Sequence, residues 1–125
     1  MIFGIGTDIV AVARMAEFWQ RHGEQALKKV LAPTERNACV IASHPARFLA
    51  KRFAAKEALG KAFGTGIRAP LLLPEISVSH DELGKPAFVF SLALGAYFAE
   101  RKLTAHLSIS DEHDYAVAFV ILETP

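Results

Sequence analysis

The sequence predicts an α+β protein in which a mostly antiparallel sheet packs against one long central helix. Three observations predict it. Residues 45–63 keep a helical pattern without a break, longer than any other stretch of the chain. Five short runs read as strands: IFGIGTDIV, interrupted by small residues, and, where the period changes to two, PEISVSH, PAFVF, AHLSIS and DYAVAFVILE. The last four of these fall into two pairs separated by short polar loops, and strands joined so closely can only pair antiparallel.

Taken in order, residues 2–10 read as a first strand in which Gly4 and Gly6 leave room for close approach of backbone or ligand. From Ala13 the pattern turns helical, with Met15, Phe18 and Trp19 at three- and four-residue spacing and Gly23 as the stop. A second helical piece, EQALKKVLA, ends at Pro33, and Thr34 offers a hydroxyl to the first-turn amides of a further helix start leading into NACVIA. The strongest helix begins at Pro45, where a missing N–H does no harm, and runs through ARFLAKRFAAKEALGKAF to Gly64. Phe48, Ala55, Leu59 and Ala62 form its expected core stripe. The glycine-rich GTGIRAP cannot continue it. Next come PEISVSH and PAFVF around the turn DELGK, a helix LALGAYFAERKL with an imperfection at Gly95, and a closing hairpin around DEH. The predicted order is strand, three helices, hairpin, helix, hairpin, in a single domain spanning residues 1–125.

Composition removes several classes of function. With Lys plus Arg 14 against Asp plus Glu 13, the net charge of +1 excludes a bulk electrostatic nucleic-acid binder. One cysteine, Cys39, excludes a disulfide framework and fits the reducing interior of a cell. The amino terminus lacks the basic segment of a signal peptide and is broken by Asp8. The longest near-apolar run, PAFVFSLALGAYFA, is too short to cross a bilayer, which needs ~20 residues. A soluble cytoplasmic protein is expected. Its 52% hydrophobic content is high for a chain of this size, which points to a subunit interface unless the alanines alone account for it.

Several residues have the chemistry of a site. Asp8 stands among Ile5, Ile9 and Val10, where a carboxylate needs compensating partners; the alternative is a solvent-facing residue at a strand end. Glu57 and Lys61, one helical turn apart, could be an ordinary surface ion pair. Their setting is unusual: an alanine- and phenylalanine-rich helix running into GTG, whose main-chain N–H groups could hold phosphate beside a lysine. Neither a P-loop nor a dinucleotide fingerprint is present, since GIGTDI fails at the last glycine. Asp8 and Glu57 are hard oxygen ligands suited to Mg²⁺, whereas Cys39 and the five histidines lack zinc spacing. His106 lies in a strand and could equally point inward as a satisfied core histidine. Arg14 and Arg21 share a helical face with Phe18 between them, and Lys28 and Lys29 follow. Such a face can dock an acidic amphipathic helix or simply be solvated. Arg47, Lys51 and Arg52 extend the basic set. Ser43–His44 and Ser79–His80 lie outside any GxSxG elbow, so a serine hydrolase is poorly supported.

GIGTDIVAVAR (4–14), RFAAKEALGKAFGTGIR (52–68), DELGKP (81–86) and HLSISDEHDYAVAFVI (106–121) together resemble the 4′-phosphopantetheinyl transferases of the small, single-domain, holo-[acyl-carrier-protein] synthase type. The resemblance implies that fold, with active sites at trimer interfaces. It implies transfer of 4′-phosphopantetheine from coenzyme A to a serine hydroxyl of apo-acyl carrier protein, releasing adenosine 3′,5′-bisphosphate, in cytoplasmic fatty acid biosynthesis. Asp8 and Glu57 match the family's Mg²⁺ ligands and Lys61 the lysine at the pyrophosphate. Arg52, Gly64, Thr65 and Gly66 match elements that hold the coenzyme's phosphates and adenine, with Lys85 and Pro86 lining the nucleotide site. His106 and Ser108 would come from the neighbouring subunit of a homotrimer. Arg14, Phe18, Arg21 and Lys28 correspond to the surface that receives the acidic helix of the carrier protein. The serine proton would pass to a water on the magnesium ion or to Asp8 itself. Asp111 stands where many members have histidine, and the segment 68–81 is less typical of the family. Outside this reading stand another Mg²⁺-dependent nucleotide-handling transferase and a silent module that binds acidic helices.

Overall fold

A computed structural model describes residues 1–125. Strand β1 (Ile2–Ala11) leads directly into helix α1 (Val12–His22), which Gly23 ends with φ 57°. Helices α2 (Glu24–Val30), α3 (Pro33–Ile41) and α4 (Pro45–Phe63) follow. A single 3₁₀ turn at Leu73–Glu75 precedes the hairpin β2 (Ile76–His80) and β3 (Pro86–Phe90). Helix α5 (Leu92–Glu100) then leads to strands β4 (Thr104–Asp111) and β5 (Tyr115–Glu123).

The α+β architecture is as expected, with two differences in detail. Four helices, not three, separate β1 from β2. Pro33 opens α3 as well as closing the segment before it, and the Thr34 hydroxyl does not cap the helix. The orphan amide there, on Ala32, donates instead to Glu35 Oε1 at 2.9 Å, a longer side chain reaching back from the first turn. The strands form two sheets: a three-stranded one ordered β1–β5–β4, and the separate pair β2–β3. All pairings are antiparallel.

Helix α4 is buried nearly all round. Ala55, Leu59 and Ala62 lie in the core as the stripe required, but so do Leu49, Ala50, Ala54 and Ala58, while Phe48 is only half-buried. The cause is its position: β1 and β5 cover one side, and α1, α3 and β2 pack around the others. Its alanines make this possible by letting neighbours come close from every direction. Cys39 is buried in the same core, and burial pushes its thiol up to about 11, leaving it protonated and inert. No helix is long and apolar enough to cross a membrane.

The turn between β2 and β3 follows from its sequence. Gly84 adopts φ 86°, and the Asp81 carboxylate accepts the amides of Leu83 (2.9 Å) and Lys85 (2.8 Å), which holds its pKa below the usual carboxylate range.

Candidate active site

Gly4 and Gly6 determine where the site lies. A Cβ on Gly4 would fall 1.9 Å from the Ala62 carbonyl oxygen, and one on Gly6 2.0 Å from that of Ala58. Only glycine lets α4 lie against β1 this closely. Side chains of a strand alternate between faces, so Asp8, two residues beyond Gly6, projects from the same face toward α4. The Asp8 side chain is 16% exposed, too enclosed for a solvent-facing strand end.

Its partner is Lys61. The ammonium donates to Asp8 Oδ1 and to the Thr7 carbonyl, both at 3.0 Å. The helical ion pair expected between Glu57 and Lys61 is not formed, because Lys61 reaches across to the strand. Glu57, one turn earlier on α4, is half-buried. Its pKa is raised first by burial and then by the negative charge of Asp8, with Lys61 and Arg14 opposing. Two carboxylates and two cations therefore meet where the glycines bring strand and helix together.

Beside them lies a cavity of about 300 Å³ lined by Glu57, by Arg14, Met15 and Phe18 of α1, and by Lys29, Val30, Phe53 and Leu73. Arg14 and Arg21 are exposed on α1, with the half-buried Phe18 between them and packed on His22 at 4.9 Å. This face is not purely basic, since Arg21 is paired with Glu17 at 2.8 Å. Lys28 is exposed on α2 and opens onto another groove beside Arg36 and Asn37.

The glycine loop departs from expectation. The amides of Gly64 and Gly66 are not free to hold phosphate: both donate to the Gly60 carbonyl at 3.0 Å, with φ of 98° and 71°. A glycine loop that follows a helix caps its orphan carbonyls, whereas one that precedes a helix presents its amides outward. The Thr65 hydroxyl turns to the Gly66 carbonyl at 3.0 Å.

Arg52 is also more enclosed than a phosphate ligand on an open surface. Its guanidinium lies 4.2 Å over the Phe48 ring, and its Nε is 3.0 Å from Glu35 Oε2. On the other side of Phe48 is a basic cleft of about 220 Å³, formed by Ser43 and His44 of the α3–α4 connection, Arg47, Phe48 and Lys51 of α4, and Asp111 of β4. The sequence marked Arg47 and Lys51 as basic without assigning them a site. Their spacing, with Arg47 and Lys51 four apart on one helix, was the available clue. His80, at the end of β2, has its pKa lowered by burial and then by the positive charges of Arg52 and Lys51. Pro86 pairs with His80, and Lys85 is exposed beside it.

His106 and Ser108 lie elsewhere. Both are exposed on the sheet face that turns away from α4, so His106 is not a core histidine. Its Nε2 lies 2.9 Å from Glu123 Oε1. Around them stand Ile5 and Ile9, 59% and 63% exposed, and Phe119.

No group of three or more metal-ligating side chains occurs. The carboxylates available are Asp8 and Glu57, and burial first and the Asp8 charge second raise the Glu57 pKa. Two carboxylates with room for water and phosphate oxygens suit Mg²⁺, which takes one or two protein carboxylates, and do not suit a closed zinc site.

The family model of the 4′-phosphopantetheinyl transferase superfamily matches residues 4–120, and the chain belongs to this family. It is a transferase. A holo-[acyl-carrier-protein] synthase of Dechloromonas aromatica (strain RCB) is 57% identical over 98% of each chain. The crystal structure of holo-[acyl-carrier-protein] synthase from Neisseria meningitidis superposes with a TM-score of 0.95 at 43% identity, covering 99% of this chain and 100% of that one. A holo-(acyl-carrier-protein) synthase from Bacillus anthracis, crystallised in complex with CoA (3′,5′-ADP), gives a TM-score of 0.83 at 36% identity, covering 100% and 99%.

Proposed function

We propose that this chain transfers 4′-phosphopantetheine from coenzyme A to a serine hydroxyl of apo-acyl carrier protein, leaving adenosine 3′,5′-bisphosphate, with Mg²⁺ held by Asp8 and Glu57. The observation that carries the reading is the meeting of Asp8, Glu57 and Lys61 at the glycine-made contact of β1 and α4. The names of the relatives and the coenzyme-bound neighbour support the substrate pair.

In this reaction the serine oxygen forms a bond to the phosphorus bearing the pantetheine arm. The anhydride P–O bond breaks, the departing nucleotide keeps the electron pair, and the serine proton is lost. Bound magnesium would supply charge neutralisation on the phosphate oxygens. Lys61, already at the carboxylate, adds a second positive charge to the oxygens on which charge develops. The serine proton would pass to Asp8, which Lys61 holds in place, or to a water beside it.

The cleft of His44, Arg47 and Lys51, with Arg52 behind Phe48, offers the positive charge that the nucleotide phosphates need. Lys85 and Pro86 of the hairpin are assigned to the nucleotide by the family match alone. With the Gly64 and Gly66 amides committed to the Gly60 carbonyl, the Thr65 amide is the donor this segment has to offer a phosphate. Arg14, Phe18, Arg21 and Lys28 offer a surface for an acidic helix. The apolar sheet face around Ile5, Ile9 and Phe119 supports a homotrimer in which His106 and Ser108 serve the neighbouring site.

Intact-mass spectrometry of apo-acyl carrier protein incubated with this protein, coenzyme A and Mg²⁺ tests the reading. The expected result is a gain of one phosphopantetheine, abolished by EDTA. No gain with several apo-carriers, from folded protein, would overturn it.

A further inference from the structure

Behind Glu57 the interior holds charged side chains to which the proposed chemistry gives no role. Lys56, the residue before Glu57, is fully buried, and Glu35 is nearly so. The Lys56 ammonium donates to the Val30 carbonyl at 2.7 Å, to Glu35 Oε1 at 2.7 Å and to the Leu73 carbonyl at 3.1 Å, which uses all three of its protons. Glu35 in turn accepts the Ala32 amide on Oε1 and the Val78 amide on Oε2, both at 2.9 Å. This one pair therefore connects the end of α2, the start of α3, α4, the 3₁₀ turn and β2.

Its position is specific. Val30 and Leu73, whose carbonyls Lys56 binds, are both wall residues of the cavity that Glu57 lines. Successive helical residues point about 100° apart. An ammonium anchored at three points in the interior thus fixes the rotation of α4 from which Glu57 faces the cavity. Stability alone does not explain the arrangement, because a buried ion pair replaced by apolar side chains of similar volume is often neutral or more stable. Three directional hydrogen bonds to three separate segments supply what an apolar side chain cannot, a set distance between them.

We propose that Glu35 and Lys56 are positioning residues: Lys56 holds the cavity wall, Val30 and Leu73, in register with Glu57, and Glu35 holds the ammonium in place. The proposal rests on the reading of Glu57 as part of the active site. Two variants test it, Lys56→Met and Lys56→Gln, in both of which Glu35 keeps Arg52 and the amides of Ala32 and Val78 as partners. Each is assayed by thermal unfolding, by kcat and KM for both substrates per folded protein, and by crystallography.

The expected result is a cooperatively folded variant with kcat lower by about tenfold, the scale of a sub-ångström misplacement. KM for coenzyme A, whose phosphates are assigned to the separate basic cleft, stays unchanged. Val30 and Leu73 shift relative to Glu57 in the variant crystals. A purely structural role would change the unfolding temperature and leave kcat per folded molecule intact. Wild-type kcat in either folded variant, an unmoved wall, or failure of both variants to fold would each overturn the proposal. Should the wild-type protein modify no carrier, the functional reading fails separately, and the wall positions alone decide this one.

Discussion

Glu57 shows function and stability pulling in opposite directions at a single carboxylate. Its folded pKa is raised above the unfolded value, chiefly by burial and next by Asp8, so the fold disfavours the ionised form that the proposed Mg²⁺ ligand must take. Glu57→Gln is accordingly expected to lower turnover by about a hundredfold or more, a large share of what an electrostatic group contributes. The same substitution should raise the unfolding temperature of the metal-free protein at neutral pH. The sign follows from proton linkage: between the unfolded and folded pKa values the native state holds more protons, so stability due to Glu57 falls as pH rises through that window. Calorimetry in EDTA from acid to neutral pH checks this, with the advantage of Glu57→Gln vanishing at low pH, where the wild-type carboxyl is protonated. Asp8 and Glu57 stood out in the sequence as carboxylates in unusual settings, but the ion pair with Lys61 was not legible. Nothing in the spacing of Glu57 and Lys61 reveals that Lys61 leaves its helix for Asp8, 53 residues away in sequence. Glu35 and Lys56 were invisible for the same reason, since a partner 21 residues distant on another helix has no local periodicity.

At the scale of elements, the strand–helix contact between β1 and α4 is the part that admits least change. Gly6→Ala would place a Cβ against the Ala58 carbonyl, and since the obstacle is backbone, the helix itself must move. We expect a loss of about 3 kcal/mol or more in chemical denaturation, at the upper end for overpacking. A further loss of activity is expected in the fraction still folded, because Asp8 rides on the displaced strand. Helix α1 behaves differently. Arg14→Ala removes an exposed guanidinium that lies 6.0 Å from the Phe53 ring and faces the cavity, with little effect on the core. KM for carrier protein should rise several-fold with kcat nearly constant, and the difference from wild type should shrink at high salt as steering is screened. An unchanged KM in a steady-state titration would place docking elsewhere. Elements were read well where a local cue sufficed: Pro45 and Gly64 bounded α4, and Gly84 with Asp81 made the hairpin turn. Where a cue served two purposes the reading slipped. Pro33 both ended one segment and began α3, and the Gly64 and Gly66 amides satisfied the helix behind them.

At the scale of the whole molecule, the apolar excess in the composition has a location. The three-stranded sheet buries one face under α4 and leaves the other with Ile5, Ile9, Tyr115 and Phe119 exposed, paired across β1 and β5 in the register Ile5↔Ile121, Thr7↔Phe119 and Ile9↔Val117. A face this apolar in water is expected to be covered by other copies of the chain. His106 and Ser108 of β4 lie on it beside Ile121 and Phe119, on the opposite side of the sheet from Asp8. A residue on that side can reach a catalytic carboxylate only in another subunit. Phe119→Arg puts an unpaired charge at the centre of the face without touching α4, so the monomer should fold while assembly is lost. Sedimentation velocity should then show a monomer in place of a trimer, with activity falling together with the assembled fraction as protein is diluted. A second variant separates assembly from chemistry. His106→Ala should remain trimeric, lose activity, and regain part of it when mixed and reassembled with Glu57→Gln. Some interfaces of the mixed trimer would then combine an intact Glu57 with an intact His106. Absence of any recovery in mixed trimers of confirmed composition would place His106 in its own subunit's service or in none.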